Sequence, residues 1–165
     1  MNSPPSSTPV STGSCQCGDI RFELPTEPFA SVICHCNNCQ KSGGSAFASN
    51  LFFRQSQVKV LDPKDRIKWY EDNTTTSKRP ILRGFCTTCG SKLFGRPTPP
   101  PHHTSLVNDP FFLVSSGAVD DIHLKTGKWL PTMEGFCDPW KRTWLPKKLD
   151  GIESFAKPFK IKAKF

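Results

Sequence analysis

The chain has 165 residues and a mass of 18.4 kDa, the size of one domain with short tails. Its 22 Lys+Arg outweigh 14 Asp+Glu for a formal charge of +8, and a mean hydropathy of −0.42 with scattered charges excludes a membrane span, which needs roughly 20 consecutive apolar residues. With 16 Pro, 11 Gly and 13 Phe, the composition argues against a helical bundle and for short strands joined by many turns.

In chain order, residues 1–12 are rich in Pro, Ser and Thr and read as a disordered tail. The first ten residues hold no Lys, Arg or apolar run, so they do not read as a secretory signal, and a cytoplasmic location is expected. Folding is expected to begin near Gly13. Residues 19–24 alternate, with Ile20, Phe22 and Leu24 on one face, and predict a strand. Residues 30–33, 46–53, the pair Val58 and Val60, the surroundings of Ile67 and Trp69, and residues 81–85, 91–94 and 111–114 predict further strands. Residues 72–78 read as a hairpin tip, and residues 96–110, with their proline triplet, as a long loop. Asp120 and Asp121 read as a turn at a strand end. The stretch 141–165 carries eight Lys/Arg against two Asp/Glu. The expected organisation is a tail over 1–12, a domain over 13–150, and a basic C-terminal extension over 151–165 packed on the domain or following it.

Eight Cys would allow four disulfides, but seven fall in three tight groups: Cys15-x-Cys17, Cys34-x-Cys36-x-x-Cys39 and Cys86-x-x-Cys89. Thiols so close in sequence are poorly placed for ordinary bridges and well placed to meet one soft cation. They divide as four plus three. The pairs Cys15/Cys17 and Cys86/Cys89 suit a closed structural zinc site. Cys34, Cys36 and Cys39, read as sitting on one loop, suit a zinc with an open position, or a second structural site if a fourth ligand joins them. His35 reads as solvent-facing, His102 and His103 as an exposed pair, and Cys137 as a half-buried free thiol, with redox reactivity or pocket lining as the alternative.

Three blocks then carry a resemblance: Gly13-Ser14-Cys15-Gln16-Cys17-Gly18 with Ile20-Arg21-Phe22; Cys34-His35-Cys36-x-x-Cys39-x-Lys41-x-x-Gly44; and Gly84-Phe85-Cys86-x-x-Cys89-Gly90-Ser91. In order and spacing they resemble the glutathione-dependent formaldehyde-activating (GFA) / centromere protein V family. Gly117-Ala118-Val119-Asp120-Asp121 and the run from Glu134 to Pro146 are similar to its later segments, so the resemblance covers roughly residues 13–150. It implies a mainly β fold, a small antiparallel β-tent also found in a Rab-binding accessory factor. It implies two zinc ions per chain, a structural one on Cys15, Cys17, Cys86 and Cys89 and a catalytic one on Cys34, Cys36 and Cys39. The founding activity is condensation of formaldehyde with glutathione, classed as a carbon–sulfur lyase reaction. Gln40 stands where the family often has Arg, and this departure, like the proline-rich loop, bears on the substrate rather than the fold.

The expected function is therefore that of a zinc enzyme forming or cleaving a C–S bond in a small carbonyl compound or thiol adduct, with glutathione as the candidate thiol. Three thiolates temper the Lewis acidity of zinc and suit a soft thiolate or a carbonyl oxygen as the fourth partner. Glu134 and Arg142 read as an ion pair near the pocket or as groups acting on substrate, and Glu134 is the best candidate carboxylate for proton transfer. Lys41 and Ser42 could donate to an anionic substrate, Gly43-Gly44 reads as a turn, and Phe47 and Phe53 read as core or as an apolar wall. Trp140 and Trp144 would share a side if helical. Two further classes compete: a tailoring enzyme of secondary metabolism acting on a larger carbonyl metabolite, and a non-catalytic zinc module binding nucleic acid through residues 141–165. The second is disfavoured because its basic residues lack an aromatic platform, and because seven thiolates and two Zn²⁺ reduce the basic excess. An exchange factor for a small GTPase is disfavoured too, since it would not need a free coordination position.

Overall fold

The computed structural model describes residues 10–98 and 110–157. Its strands are β1 (Ser11–Ser14), β2 (Arg21–Leu24), β3 (Ala30–Cys34), β4 (Ala48–Arg54), β5 (Lys59–Leu61), β6 (Ile67–Asp72), β7 (Ile81–Cys86), β8 (Lys92–Pro97), β9 (Phe111–Ser115), β10 (Met133–Gly135) and β11 (Glu153–Ser154), with one α-helix, α1 (Asn37–Gly43). The protein is mainly β, as expected. Among the described residues, β1-β2-β5 form one sheet and β11-β10-β3-β4-β9-β8-β7-β6 form the other. The antiparallel expectation holds for most pairs, but β10 runs parallel to both β3 and β11. No described helix is long and apolar enough to cross a membrane.

Alternation explains β2: Ile20, Phe22 and Leu24 are buried and Arg21 is exposed. These side chains meet Leu51, Phe53, Leu93, Phe94, Phe112 and Val114 in the main core. Aromatic edges fix that contact, with Phe22 at 5.4 Å and Phe112 at 5.2 Å from Phe94, ring centre to ring centre. Strand β1 starts at Ser11, inside the stretch read as tail; the rest of that reading, residues 1–9, lies outside the described residues. Gly13 lets β1 approach this closely, because a Cβ there would lie 2.1 Å from the Phe22 ring and 2.4 Å from the Ala118 carbonyl oxygen. Asp120 and Asp121 lie in a turn, as expected, and tie β1 down by accepting hydrogen bonds from Thr12 (2.9 Å) and Ser11 (2.6 Å).

Residues 73–80 close the β6–β7 hairpin, overlapping the tip read from the sequence over 72–78. The proline triplet, His102 and His103 fall outside the described residues. The basic C-terminal stretch returns to the domain: β11 pairs with β10, and Phe155 N–H donates to the Glu134 carbonyl at 2.9 Å. Residues 138–145 form turns rather than a helix, so Trp140 and Trp144 separate. Trp140 packs beside Cys34 and Cys36, whereas Trp144 is 72% exposed.

Candidate metal centres

Two turns build the first cluster. In one, Gly18 N–H donates to the Cys15 carbonyl at 2.9 Å; in the other, Gly90 N–H donates to the Cys86 carbonyl at 2.9 Å. Ser91 Oγ accepts the Gln16 N–H at 3.0 Å and locks the turns together across the chain. The sulfurs of Cys15, Cys17, Cys86 and Cys89 consequently lie within 4.8 Å of one another. Cys15 and Cys17 are 3.4 Å apart and Cys17 and Cys86 3.8 Å, near the edge of about 3.8 Å that a tetrahedron of zinc–sulfur bonds of about 2.3 Å requires. The donor set fits a closed zinc site. The thiols also polarise one another. A hydrogen bond from Ser91 draws Cys89 down to about 6. Cys17 has a backbone N–H of Asp19 favouring its thiolate, but burial and the neighbouring thiols push it up to about 12. A cation among the four sulfurs removes that conflict.

The second cluster begins where β3 ends. Register places Cys34 between Ala48 of β4 and Gly135 of β10. The chain then turns into α1, which corrects the reading of these three cysteines as residents of one loop. Cys36 is the N-cap, its sulfur accepting the Cys39 N–H at 3.4 Å, and Gly44 closes the helix in the left-handed conformation at φ 58°. Gly44 is therefore in the turn that was expected, while Gly43 is the last residue of α1. The sulfurs of Cys34, Cys36 and Cys39 lie within 4.8 Å of one another, with no further His, Asp, Glu or Cys completing that group among the described residues. Three thiols without a fourth protein ligand fit a zinc that keeps one position open.

His35 is not solvent-facing. It is 1% exposed, because Cys34 and Cys36 on either side point one way and its ring is carried inward between β10 and Phe47. Its Nε2 lies 2.8 Å from Glu134 Oε2. Glu134 is fully buried, and its other oxygen accepts from Lys141 Nζ and Ser154 Oγ, both at 2.6 Å. Lys141, not Arg142, is thus its cationic partner; Arg142 is exposed. Burial alone would raise this carboxyl, but the bonds from Lys141, Ser154 and His35 outweigh it and hold the group below its usual range. Cys137 lies beside His35 and Glu134, half-buried as expected, and burial with the Glu134 charge pushes its thiol up.

Sequence reading missed the cations around the three thiols. Arg83 on β7 donates to Asp72 through Nε (2.9 Å) and Nη2 (2.7 Å), and Asp72 also accepts from Asn38 of α1 at 3.1 Å. Lys92 opens β8 opposite Phe85. Both cations draw the Cys39 thiol well below its usual value, after the larger effect of hydrogen bonds from Cys34 and Cys36. Their chain distance from the Cys groups, with no spacing signal, explains why only the fold reveals them. Lys41 is exposed, while Ser42 donates to the Cys39 carbonyl at 3.3 Å. Phe53 is core. Phe47 lines an open groove of about 720 Å³ that reaches Cys15 of the first cluster and Ala48, the register partner of Cys34. Serines dominate its walls, among them Ser14, Ser45, Ser49 and Ser91.

Fold and clusters together define a small β domain built around candidate metal centres. The family model described as glutathione-dependent formaldehyde-activating enzyme (GFA) matches residues 10–139, and the chain belongs to that family. A Halomonas elongata protein named "Putative glutathione-dependent formaldehyde-activating enzyme" is 31% identical over 84 residues, which is 50% of this chain and 53% of that protein. The matched segment therefore spans about half the relative's length. A Rhodobacter sphaeroides protein of known crystal structure is similar with a TM-score of 0.48 at 21% identity, covering 67% of this chain and 88% of that one.

Proposed function

We propose that the chain is a zinc enzyme that joins a small carbonyl compound to a thiol, or splits the adduct, at Cys34, Cys36 and Cys39. The observation that carries this is the contrast between the clusters: four gathered thiols in one, and in the other three gathered thiols that no fourth protein ligand completes among the described residues. Cys15, Cys17, Cys86 and Cys89 would hold a structural zinc and Cys34, Cys36 and Cys39 a second one. Zinc at the second site supplies Lewis acidity and a docking position for a soft thiolate.

The chain's own residues do the rest. Cys36 fixes its sulfur by capping α1, and Cys34 is held by pairing on both sides. Arg83 and Lys92 supply positive charge against the thiolates. Glu134 keeps His35 in place from behind; to move a proton it would have to release His35, Lys141 or Ser154. In the reaction the thiol sulfur bonds to the carbonyl carbon and the thiol proton ends on the carbonyl oxygen. The serine-lined groove holds Ala48, the register partner of Cys34, and its polar walls, with Phe47 as their aromatic residue, suit a polar thiol adduct better than a large flat metabolite.

Formaldehyde and glutathione test the reading by proton NMR of adduct formation. The zinc-loaded chain should exceed the spontaneous rate, and Cys36→Ser should remove the excess while circular dichroism stays native. A wild-type rate equal to the spontaneous one would sink it.

A further inference from the structure

Gln40 of α1 is buried, and its side-chain amide nitrogen donates to two main-chain carbonyls, that of His35 at 2.6 Å and that of Trp140 at 2.8 Å. Both amide hydrogens are thereby used. A buried amide so satisfied fixes what it holds, because breaking either bond would leave a polar group unpaired away from water. One bond returns to the turn between Cys34 and Cys36. The other reaches 100 residues along the chain and sets Trp140 against the cluster of Cys34, Cys36 and Phe136, where Cys39 also packs. Those three clustered residues are buried and Trp140 is half-buried, so Trp140 lies between them and solvent.

Phe136 is placed with equal care. It is a bulky residue at φ 60°, in the left-handed region that favours glycine. Its N–H donates to the Lys157 carbonyl at 3.3 Å, and the Cys137 N–H donates to the Phe155 carbonyl at 3.1 Å. A residue is kept in such a conformation only where its surroundings impose it, and these residues collect at functional sites. The chain leaves β10 with Phe136 on the three-cysteine cluster and returns with Trp140 on the same cluster, Lys141 N–H closing the turn on the Cys137 carbonyl at 3.1 Å.

We infer that Trp140, together with Phe136, is a steric wall of the three-thiol centre, that Gln40 is its positioning residue, and that the wall admits thiols on an unbranched carbon and rejects those on a fully branched one. This rests on the proposed open zinc at Cys34, Cys36 and Cys39, but it concerns the shape of the partner that the centre accepts. No fourth protein ligand completes the group among the described residues, so an incoming thiol must fit beside the side chains packed on the cysteines. An indole is flat and rigid, and with its backbone held by Gln40 it yields little. A sulfur on a primary carbon presents hydrogens to that wall. A sulfur on a tertiary carbon presents methyl groups, and crowding a packed aromatic is costly.

The test is calorimetric titration of the zinc-loaded full chain with ethanethiol and with tert-butanethiol, in the wild type, Trp140→Ala, Trp140→Phe and Gln40→Met. The ratio of the two affinities is the readout, and comparing variants cancels the intrinsic difference between the thiols. Trp140→Ala should reduce the preference for ethanethiol by about tenfold or more, with zinc content unchanged. Trp140→Phe should fall between Trp140→Ala and the wild type. Gln40→Met keeps the length of the side chain and loses its amide, and it should move the ratio in the same direction as Trp140→Ala. An unchanged ratio in Trp140→Ala would overturn the wall, as would loss of zinc from that variant, which would show that Trp140 retains the metal instead. A ratio that moves in Trp140→Ala but not in Gln40→Met would remove the positioning role of Gln40. If none of the four proteins binds either thiol, the open centre falls and the wall with it, whereas thiol binding with a constant ratio defeats the wall alone.

Discussion

Glu134 sits on a three-residue strand with its carboxylate engaged by His35, Lys141 and Ser154. Gln in its place would keep the shape and leave the buried ammonium of Lys141 without a counter-charge. Breaking a buried pair in this way costs about 3 kcal/mol or more. Glu134→Gln should lower the free energy of urea unfolding by about that amount; a change within about 0.5 kcal/mol would show that Lys141 escapes to solvent. At this scale the sequence was legible where ligands announce themselves by spacing, as the Cys groups do. It was silent where a partner lies far along the chain. His35 is 99 residues from Glu134, and its immediate neighbours say nothing about the strand that will cover it. Lys92 likewise gains its setting only when β8 is laid beside β7.

Among the elements, the strands of the main core were readable from alternation and aromatic content, since those patterns are what burial on one face demands. Helix α1 was not, because only seven residues form it and its ends are set by the Cys36 cap and Gly44 rather than by propensity. Strand β10 was hidden by its length and by a charged residue at its centre, which the buried network satisfies. Helix α1 is tied to the β6–β7 hairpin through Asn38, Asp72 and Arg83. Burial alone would raise the Asp72 carboxyl, but the Arg83 guanidinium and Thr74 hold it below the usual range. A carboxyl depressed in the folded state contributes stability that is complete above its unfolded value of about 3.9 and is lost as pH falls through the folded value. Asp72→Asn should therefore be less stable than the wild type at about pH 7, and the two stability curves from chemical denaturation should converge as pH drops towards about 2. A constant gap between them would show that the ion pair is not the source.

Over the whole molecule, the two clusters join parts of the chain that are distant in sequence. The four-thiol group fastens the β1–β2 turn to the β7–β8 turn, and Cys15 and Cys86 belong to the main core. The three-thiol group marks the junction of β3, α1 and β10 and packs against Phe136 and Trp140. We propose that metal at the first site maintains the fold and metal at the second serves the reaction. The basic C-terminal stretch fits this division: its Lys141 is committed to Glu134 and its β11 extends the larger sheet, so part of what looked like a charged extension belongs to the domain. These separate duties can be read directly from the metal content of purified wild type and Cys36→Ser by elemental mass spectrometry. Two zinc ions per wild-type chain and one per folded Cys36→Ser chain is the predicted result. One zinc in both proteins would contradict it.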